Sequence, residues 1–200
     1  MRPEEYPVRI VAGRHKGRRL DAPEGLAVRP TADRTREAIF NIVTRGKLPC
    51  PGRAAAGGEA LTGVDVLDVF AGTGALGLEA LSRGAAHATF MESQATALAA
   101  LRRNVRALDE EARGTALQCD ALRPPPAPAP CGLILMDPPY GQGLAPPALS
   151  ALGAAGWLAA GALVAVELMA REPMEPPEGF ETLDERKYGK ARVVFLRAPA

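Results

Sequence analysis

Apolar residues follow two periods along this chain. From Val64 onward, short apolar runs alternate with stretches in which apolar positions recur at helical spacing. The runs predict strands at Val64–Phe70, His87–Met91, Thr115–Cys119, Gly132–Asp137 and Ala162–Leu168. The intervening stretches predict helices at Ala75–Ser82, Gln94–Leu108 and Pro146–Gly153. Strand-helix alternation with apolar strands implies a parallel sheet covered on both faces. Two further runs, Glu181–Arg186 and Arg192–Leu196 around Lys187-Tyr188-Gly189-Lys190, read as an antiparallel C-terminal hairpin. The expected class is therefore α/β: a doubly wound, mostly parallel seven-stranded sheet.

Before Val64 the pattern is smaller in scale. Val8–Ala12 and Arg18–Ala22 flank Gly13-Arg14-His15-Lys16-Gly17, which predicts a short hairpin with a basic turn. A helix is expected from Asp33, as N-cap, to Arg45, with Ile39, Ile42 and Val43 as its apolar stripe. Residues 49–62, rich in Pro, Gly and Ala, read as a flexible connector. This divides the chain into an N-terminal hairpin and helix unit (1–48), a linker (49–62) and a main domain (63–200). Residues 124–130 form a proline-rich surface loop.

Composition removes several classes of function. No apolar stretch approaches the roughly 18 residues of a membrane span, and the polar N-terminus lacks a signal-peptide core. A cytoplasmic protein with no membrane partner is expected. Cys50, Cys119 and Cys131 are widely spaced and the only histidines are His15 and His87, which points to no metal site and no disulfide framework. Net charge is +1, but residues 1–53 carry +6 and residues 54–200 carry −5. A basic head holding Arg9, Arg14, His15, Lys16, Arg18, Arg19 and Arg34 suits a polyanion, nucleic-acid phosphate above all.

The chemistry concentrates at strand ends. The run Leu133-Ile134-Leu135-Met136 stops at Asp137-Pro138-Pro139-Tyr140. Proline has no N–H and a fixed φ, so the chain leaves the sheet there with bare carbonyls. The corner presents a carboxylate, acceptor oxygens and an aromatic face, which together suit an exocyclic amine on a flat base. These four residues are the candidate catalytic group.

A second constellation follows the first strand. In Asp68-Val69-Phe70-Ala71-Gly72-Thr73-Gly74-Ala75-Leu76-Gly77, three glycines satisfy G-x-G-x-x-G, and Glu92 lies 20 residues beyond Gly72. Taken alone, this is a Rossmann-like dinucleotide fingerprint, and an NAD-dependent oxidoreductase is one reading of it. Asp68 argues otherwise, because its charge would face a pyrophosphate. A carboxylate there suits a ligand carrying cations, such as S-adenosylmethionine with its ammonium and sulfonium. Glu92, with Ser93 beside it, would bind a ribose diol; Asp120, with Ala121, would reach an adenine amino group.

These motifs resemble those of Class I S-adenosylmethionine-dependent methyltransferases, and specifically the bacterial family that methylates N2 of guanine 966 in 16S ribosomal RNA. The resemblance covers Arg9-Ile10-Val11-Ala12-Gly13, Gly17-Arg18-Arg19-Leu20, Arg29-Pro30-Thr31 through Arg36-Glu37 to Phe40-Asn41, Leu67–Gly74, Asp137–Tyr140 and Tyr188-Gly189. It implies that Asp68, Phe70, Ala71, Gly72, Thr73 and Gly74 hold the methionine part of the cofactor with help from Arg29, Pro30 and Thr31. It further implies a basic hairpin that grips 16S rRNA, probed within the small ribosomal subunit or its assembly intermediate by a monomer. The same amine chemistry serves adenine N6 in DNA and protein glutamine, which stay open as alternatives.

Overall fold

The computed structural model describes residues 8–23, 30–44, 48–53 and 61–200. Seven strands, β1 (Asp65–Val69), β2 (His87–Glu92), β3 (Gly114–Gln118), β4 (Cys131–Met136), β5 (Leu158–Met169), β6 (Glu181–Tyr188) and β7 (Ala191–Arg197), make one sheet. Their order is β3-β2-β1-β4-β5-β7-β6. The first five are parallel, and β7 runs antiparallel between β5 and β6. After β3 the chain returns to the other side of β1 to place β4. The resulting switch point between β1 and β4 opens a crevice at the carboxyl ends of the strands.

Burial on both faces explains why the strands read as apolar runs. Val66, Leu133, Leu135, Leu163, Ala165, Val193 and Phe195 turn to one side, where they meet helices α1 (Pro30–Thr44), α2 (Ala75–Ser82) and α3 (Ala95–Ala107). Leu67, Val69, Ile134, Met136, Val164, Val166, Val194 and Leu196 turn to the other and meet α4 (Ala145–Ala154) and Trp157. In α3, Ala97, Leu98, Leu101, Asn104 and Val105 form the buried stripe while Arg102, Arg103 and Arg106 stay exposed. Two helix–sheet layers thus enclose the sheet, as expected.

Three local expectations need correction. Helix α1 begins at Pro30, so Asp33 lies inside its first turn instead of capping it. Proline at a first helical position and an acid within the first turn are both start signals, and the reading took the later one. Strand β5 starts at Leu158, four residues before the expected Ala162. The ladder with β4 shifts register between Cys131 and Leu133, and Gly161 sits at φ +67 within the irregularity, so the segment imitates a turn. The N-terminal hairpin is reduced to a single bridge, Arg9 to Arg19, held by Ile10 N–H to Arg18 O (2.9 Å) and Leu20 N–H to Val8 O (2.8 Å).

That hairpin shares the main core. Val8, Ile10 and Leu20 belong to the same buried cluster as α2 and α3. Gly13, at φ +81, lies so close to the end of α2 that a Cβ there would be 1.9 Å from the Ser82 carbonyl. The connector is anchored at its described ends as well. Cys50 is buried with its thiol toward Gly132 O, Arg53 donates to Val43 O and Leu48 O, and Leu61 is fully buried. Gly132 must be glycine, since its Cβ would lie 2.1 Å from Pro51 O. Residues 54–60 of the expected linker lie outside the described residues.

Candidate functional site

Each of the five parallel strands delivers an acid to the same edge: Asp68, Glu92, Asp120, Asp137 and Glu167. Asp68 is buried (1% exposed), and its Oδ2 accepts the Gly77 N–H at 2.8 Å, tying the end of β1 to the first turn of α2. Burial pushes its carboxyl well above the usual range. The charges of Asp137 and Glu92 push the same way, while the Gly77 N–H and Arg36 oppose them. The Asp137 and Glu92 carboxyls thus lie near enough to Asp68 to share one site with it.

Between β1 and α2 the backbone makes a sharp turn. Phe70 takes φ +61, a costly conformation for a bulky residue, and Gly72 and Gly74 take φ +55 and +80. A Cβ on Gly72 would meet nothing within 4 Å, so the turn faces open space. The other two glycines answer to packing. A Cβ on Gly74 would approach Leu101 to 2.2 Å, and one on Gly77 would approach the Phe90 ring to 2.3 Å. Only the first glycine thus borders room for a ligand. Thr73 is buried and Ala71 N–H donates to Met91 O at 2.9 Å, so the loop is held against β2.

Glu92 fixes that loop from the next strand. Its Oε2 accepts Gly72 N–H (2.8 Å) and its Oε1 accepts Gln94 N–H (2.7 Å), linking the glycine turn to the start of α3. Each oxygen keeps a second lone pair for a ligand hydroxyl. Ser93 is exposed beside it. Asp120 is exposed and closes a turn through Leu122 N–H (2.9 Å), while Ala121 is buried.

At the end of β4, Asp137 and Pro139 are exposed, Pro138 is buried and Tyr140 is half-buried. The Tyr140 hydroxyl donates to Glu167 Oε1 at 3.0 Å, and Glu167 is 7% exposed. Glu167 escaped the sequence reading, although an acid interrupting the apolar run of β5 was a usable signal. Asn104 was missed too. Its side chain accepts Asp21 N–H (2.7 Å) and donates to Asp21 O and Thr73 O (2.9 Å each), joining the segment after the hairpin to the glycine turn. No local pattern marked it.

The expected phosphate-binding residues divide. Arg14 and His15 both engage the buried carboxylate of Glu110, and Arg18 donates to Ala107 O. These three help dock the hairpin onto the domain, while Arg14 and Arg18 stay exposed. Lys16, Arg19, Arg9 and Arg34 are exposed. Glu79, fully buried on α2, completes the joint: it accepts Val11 N–H (2.6 Å) and Ala12 N–H (3.0 Å) and pairs with Arg83 (2.7 Å). Of the N-terminal cofactor candidates, Arg29 lies outside the described residues, and Pro30 and Thr31 open α1. Burial raises the thiols of Cys50 to about 11 and Cys131 to about 12 and also lifts Cys119, which suits packing and not nucleophilic attack. Among the described residues no helix is long and apolar enough to cross a membrane, and none are grouped to hold a metal ion.

Residues 8–197 match the family model described as conserved hypothetical protein 95. The chain is 33% identical to ribosomal RNA small subunit methyltransferase D of Haemophilus influenzae, over 91% of this chain and 89% of that protein. It is 34% identical to the Escherichia coli K12 protein of the same name, over 80% of this chain and 74% of that one. Among solved structures, Escherichia coli yhhF superposes with a TM-score of 0.79 at 30% identity, covering 98% of this chain and 99% of that one.

Proposed function

From the premise that this chain belongs to the conserved hypothetical protein 95 family, we propose that it methylates the exocyclic N2 amine of a guanine in 16S ribosomal RNA, with S-adenosylmethionine as donor. Methyltransferase activity on small-subunit ribosomal RNA follows from the relatives; the atom and the donor are the reading of the site. The observation that carries it is the placement of Asp68, beneath the glycine turn, and Asp137, at the proline corner, at the carboxyl ends of the paired strands β1 and β4. Donor pocket and amine acceptor share one crevice.

The residues fit such a donor. Open space beside Gly72 admits a ligand against the backbone, and a buried carboxyl beside two others favours a cationic partner over a pyrophosphate. S-adenosylmethionine, when bound, supplies an electrophilic methyl on a sulfonium, the C–S bond breaking as the N–C bond forms. Glu92 retains acceptors for a ribose diol, and Asp120, exposed after β3, would accept from an adenine amine.

The protein's part in catalysis is positioning and charge. A guanine amine is a weak nucleophile because its lone pair is delocalised into the ring. Asp137 accepts one amine hydrogen and the Pro138 carbonyl the other, which turns the lone pair out of conjugation. Tyr140 stacks on the base, which must be splayed from its RNA context to enter. The amine proton leaves through Asp137 to water. The basic hairpin and α1 dock RNA phosphates, chiefly through Lys16, Arg19, Arg9 and Arg34. The substrate in this reading is the small subunit or its assembly intermediate, met by a monomer in the cytoplasm.

Labelled methyl transfer onto small subunits from cells lacking this protein tests the reading. Digestion should return N2-methylguanosine alone. Label in N6-methyladenosine, in a ribosomal protein, or nowhere would reject it.

A further inference from the structure

The tip of the C-terminal hairpin has no part in the chemistry above. Strands β6 and β7 close with Tyr188 opposite Ala191, and Gly189 at φ +61 opens the tight turn between them. Ala170 N–H donates to Lys190 O at 2.9 Å, which fastens the tip to the end of β5. Because β7 runs antiparallel to β5, the tip stands at the same edge of the sheet as Asp137. Parallel register sets Met136 beside Val166, so β5 continues to Met169, about 10 Å past the last residue of β4. Two to three strand spacings of about 4.8 Å separate the tip from the corner. The end of β5 and the tip thus form a raised wall beside the catalytic group.

The surface of this wall differs from the rest of the main domain. Residues 54–200 are net acidic, yet the only lysines among them, Lys187 and Lys190, both stand here, exposed. Elsewhere on the hairpin the charges are matched: Asp184 with Arg186, Glu185 with Arg192, and Glu181 with Arg197. Lys187, Lys190 and the exposed Arg171 have no acid partner among the described residues. Glu172, next to Arg171, is buried with its carboxylate toward Met169 N–H. Lys187 also lies opposite Arg192 in the ladder, a like-charge pairing that a sheet disfavours. Beside these cations Met169 is 45% exposed, and the register aligns it with Ala191 and the half-buried Tyr188 across the three strands.

We propose that this wall holds the RNA strand next to the target base: Lys187, Lys190 and Arg171 take its phosphates, and an unpaired neighbouring base lies against Met169 and Tyr188. This deepens the proposed function and rests on it. Cations beside an exposed apolar and aromatic surface are the means by which proteins hold single-stranded nucleic acid. A target base enters the corner only when splayed from its context, so its neighbours lie unstacked at the rim, where the wall meets them. The N-terminal basic turn cannot make these contacts. It docks at Ser82 and Ala107, the far ends of α2 and α3, at the opposite edge of the sheet. The two basic surfaces therefore grip different stretches of one RNA.

The test measures methyl transfer to small subunits from cells lacking this protein, over a series of salt concentrations. Lys187→Ala combined with Lys190→Ala should raise KM about tenfold and lower the salt slope of kcat/KM by about one to two. Both side chains are exposed at a turn, and donor affinity by calorimetry, equal to that of wild type, shows that the variant is folded. Met169→Ala should raise KM about threefold with the salt slope unchanged, the mark of an apolar contact. Lys190→p-benzoylphenylalanine should crosslink on irradiation to 16S rRNA within a few nucleotides of the methylated guanine. A lysine variant with the KM and slope of wild type, an unchanged KM in Met169→Ala, or crosslinks to a ribosomal protein or to remote rRNA overturns the inference alone. Wild type that transfers no methyl to guanine overturns the proposed function with it.

Discussion

Removing Asn104 should unfasten two segments at once. Its side chain is 2% exposed and makes three hydrogen bonds, with Asp21 N–H at 2.7 Å and with Asp21 O and Thr73 O at 2.9 Å. Asn104→Ala strands one donor and two acceptors in a buried setting. At about 1–1.5 kcal/mol per bond, partly recovered by water, the loss is about 2–4 kcal/mol. For a chain of this size that lowers Tm by about 5–15 °C. Asn104→Asp keeps the acceptor for Asp21 N–H but sets a carboxylate against two carbonyls, so it should be at least as damaging at pH 7. Its folded-state pKa is then raised above the unfolded value. Stability is retained below the unfolded pKa and is lost as pH rises through the folded one, so this variant should recover toward wild type on acidification from pH 7 to pH 5. Urea unfolding at both pH values measures this, with donor affinity by calorimetry as the functional readout, since Thr73 belongs to the glycine turn. An Asn104→Asp protein as stable as wild type at pH 7 would refute the reasoning.

Further outcomes follow from the same geometry. Asp137→Ala should lower turnover about a hundredfold or more with little change in donor affinity, and near-normal methylation would reject its role. Because burial, with Asp137 and Glu92, pushes the Asp68 carboxyl up, a cationic donor that opposes this shift should release protons as it binds in the pH range where Asp68 titrates. Calorimetry in buffers of different ionisation enthalpy should detect that release in wild type and not in Asp68→Asn. Gly77→Ala would set a methyl about 2.3 Å from the buried Phe90 ring and should cost about 1–3 kcal/mol in urea unfolding, despite the better helix propensity of alanine. Replacing Lys16 and Arg19 together should weaken RNA binding and reduce the salt slope by about two. Replacing Arg14 should chiefly loosen the hairpin, seen as faster amide exchange at Val11 and Ala12.

The architecture was legible wherever burial imposed a period. Helix α2 matched its expected ends, and β1 to β4 fell within a residue of theirs, because continuous apolar runs flanked by Gly, Pro or Asp leave little freedom. The fold class and the acids following the first four strands were read for the same reason. What escaped was long-range. Glu79, Glu110 and Asn104 hold the N-terminal segment to α2 and α3 across 67 to 96 positions of sequence, a separation at which no spacing rule operates. The same joint ties Arg14 and His15 to Glu110, a second task that a charge count alone does not show. Glu167 was hidden by its company, an acid inside a strand that otherwise looked uniformly buried.

A crystal structure with S-adenosylmethionine bound puts the shared crevice to the most direct trial. The donor should lie over the turn at Gly72, ribose against Glu92, with its methyl carbon aimed at the space bounded by Asp137, Pro138 and Tyr140. A donor bound at the opposite edge of the sheet, or lying with its methyl turned away from Asp137, would contradict it.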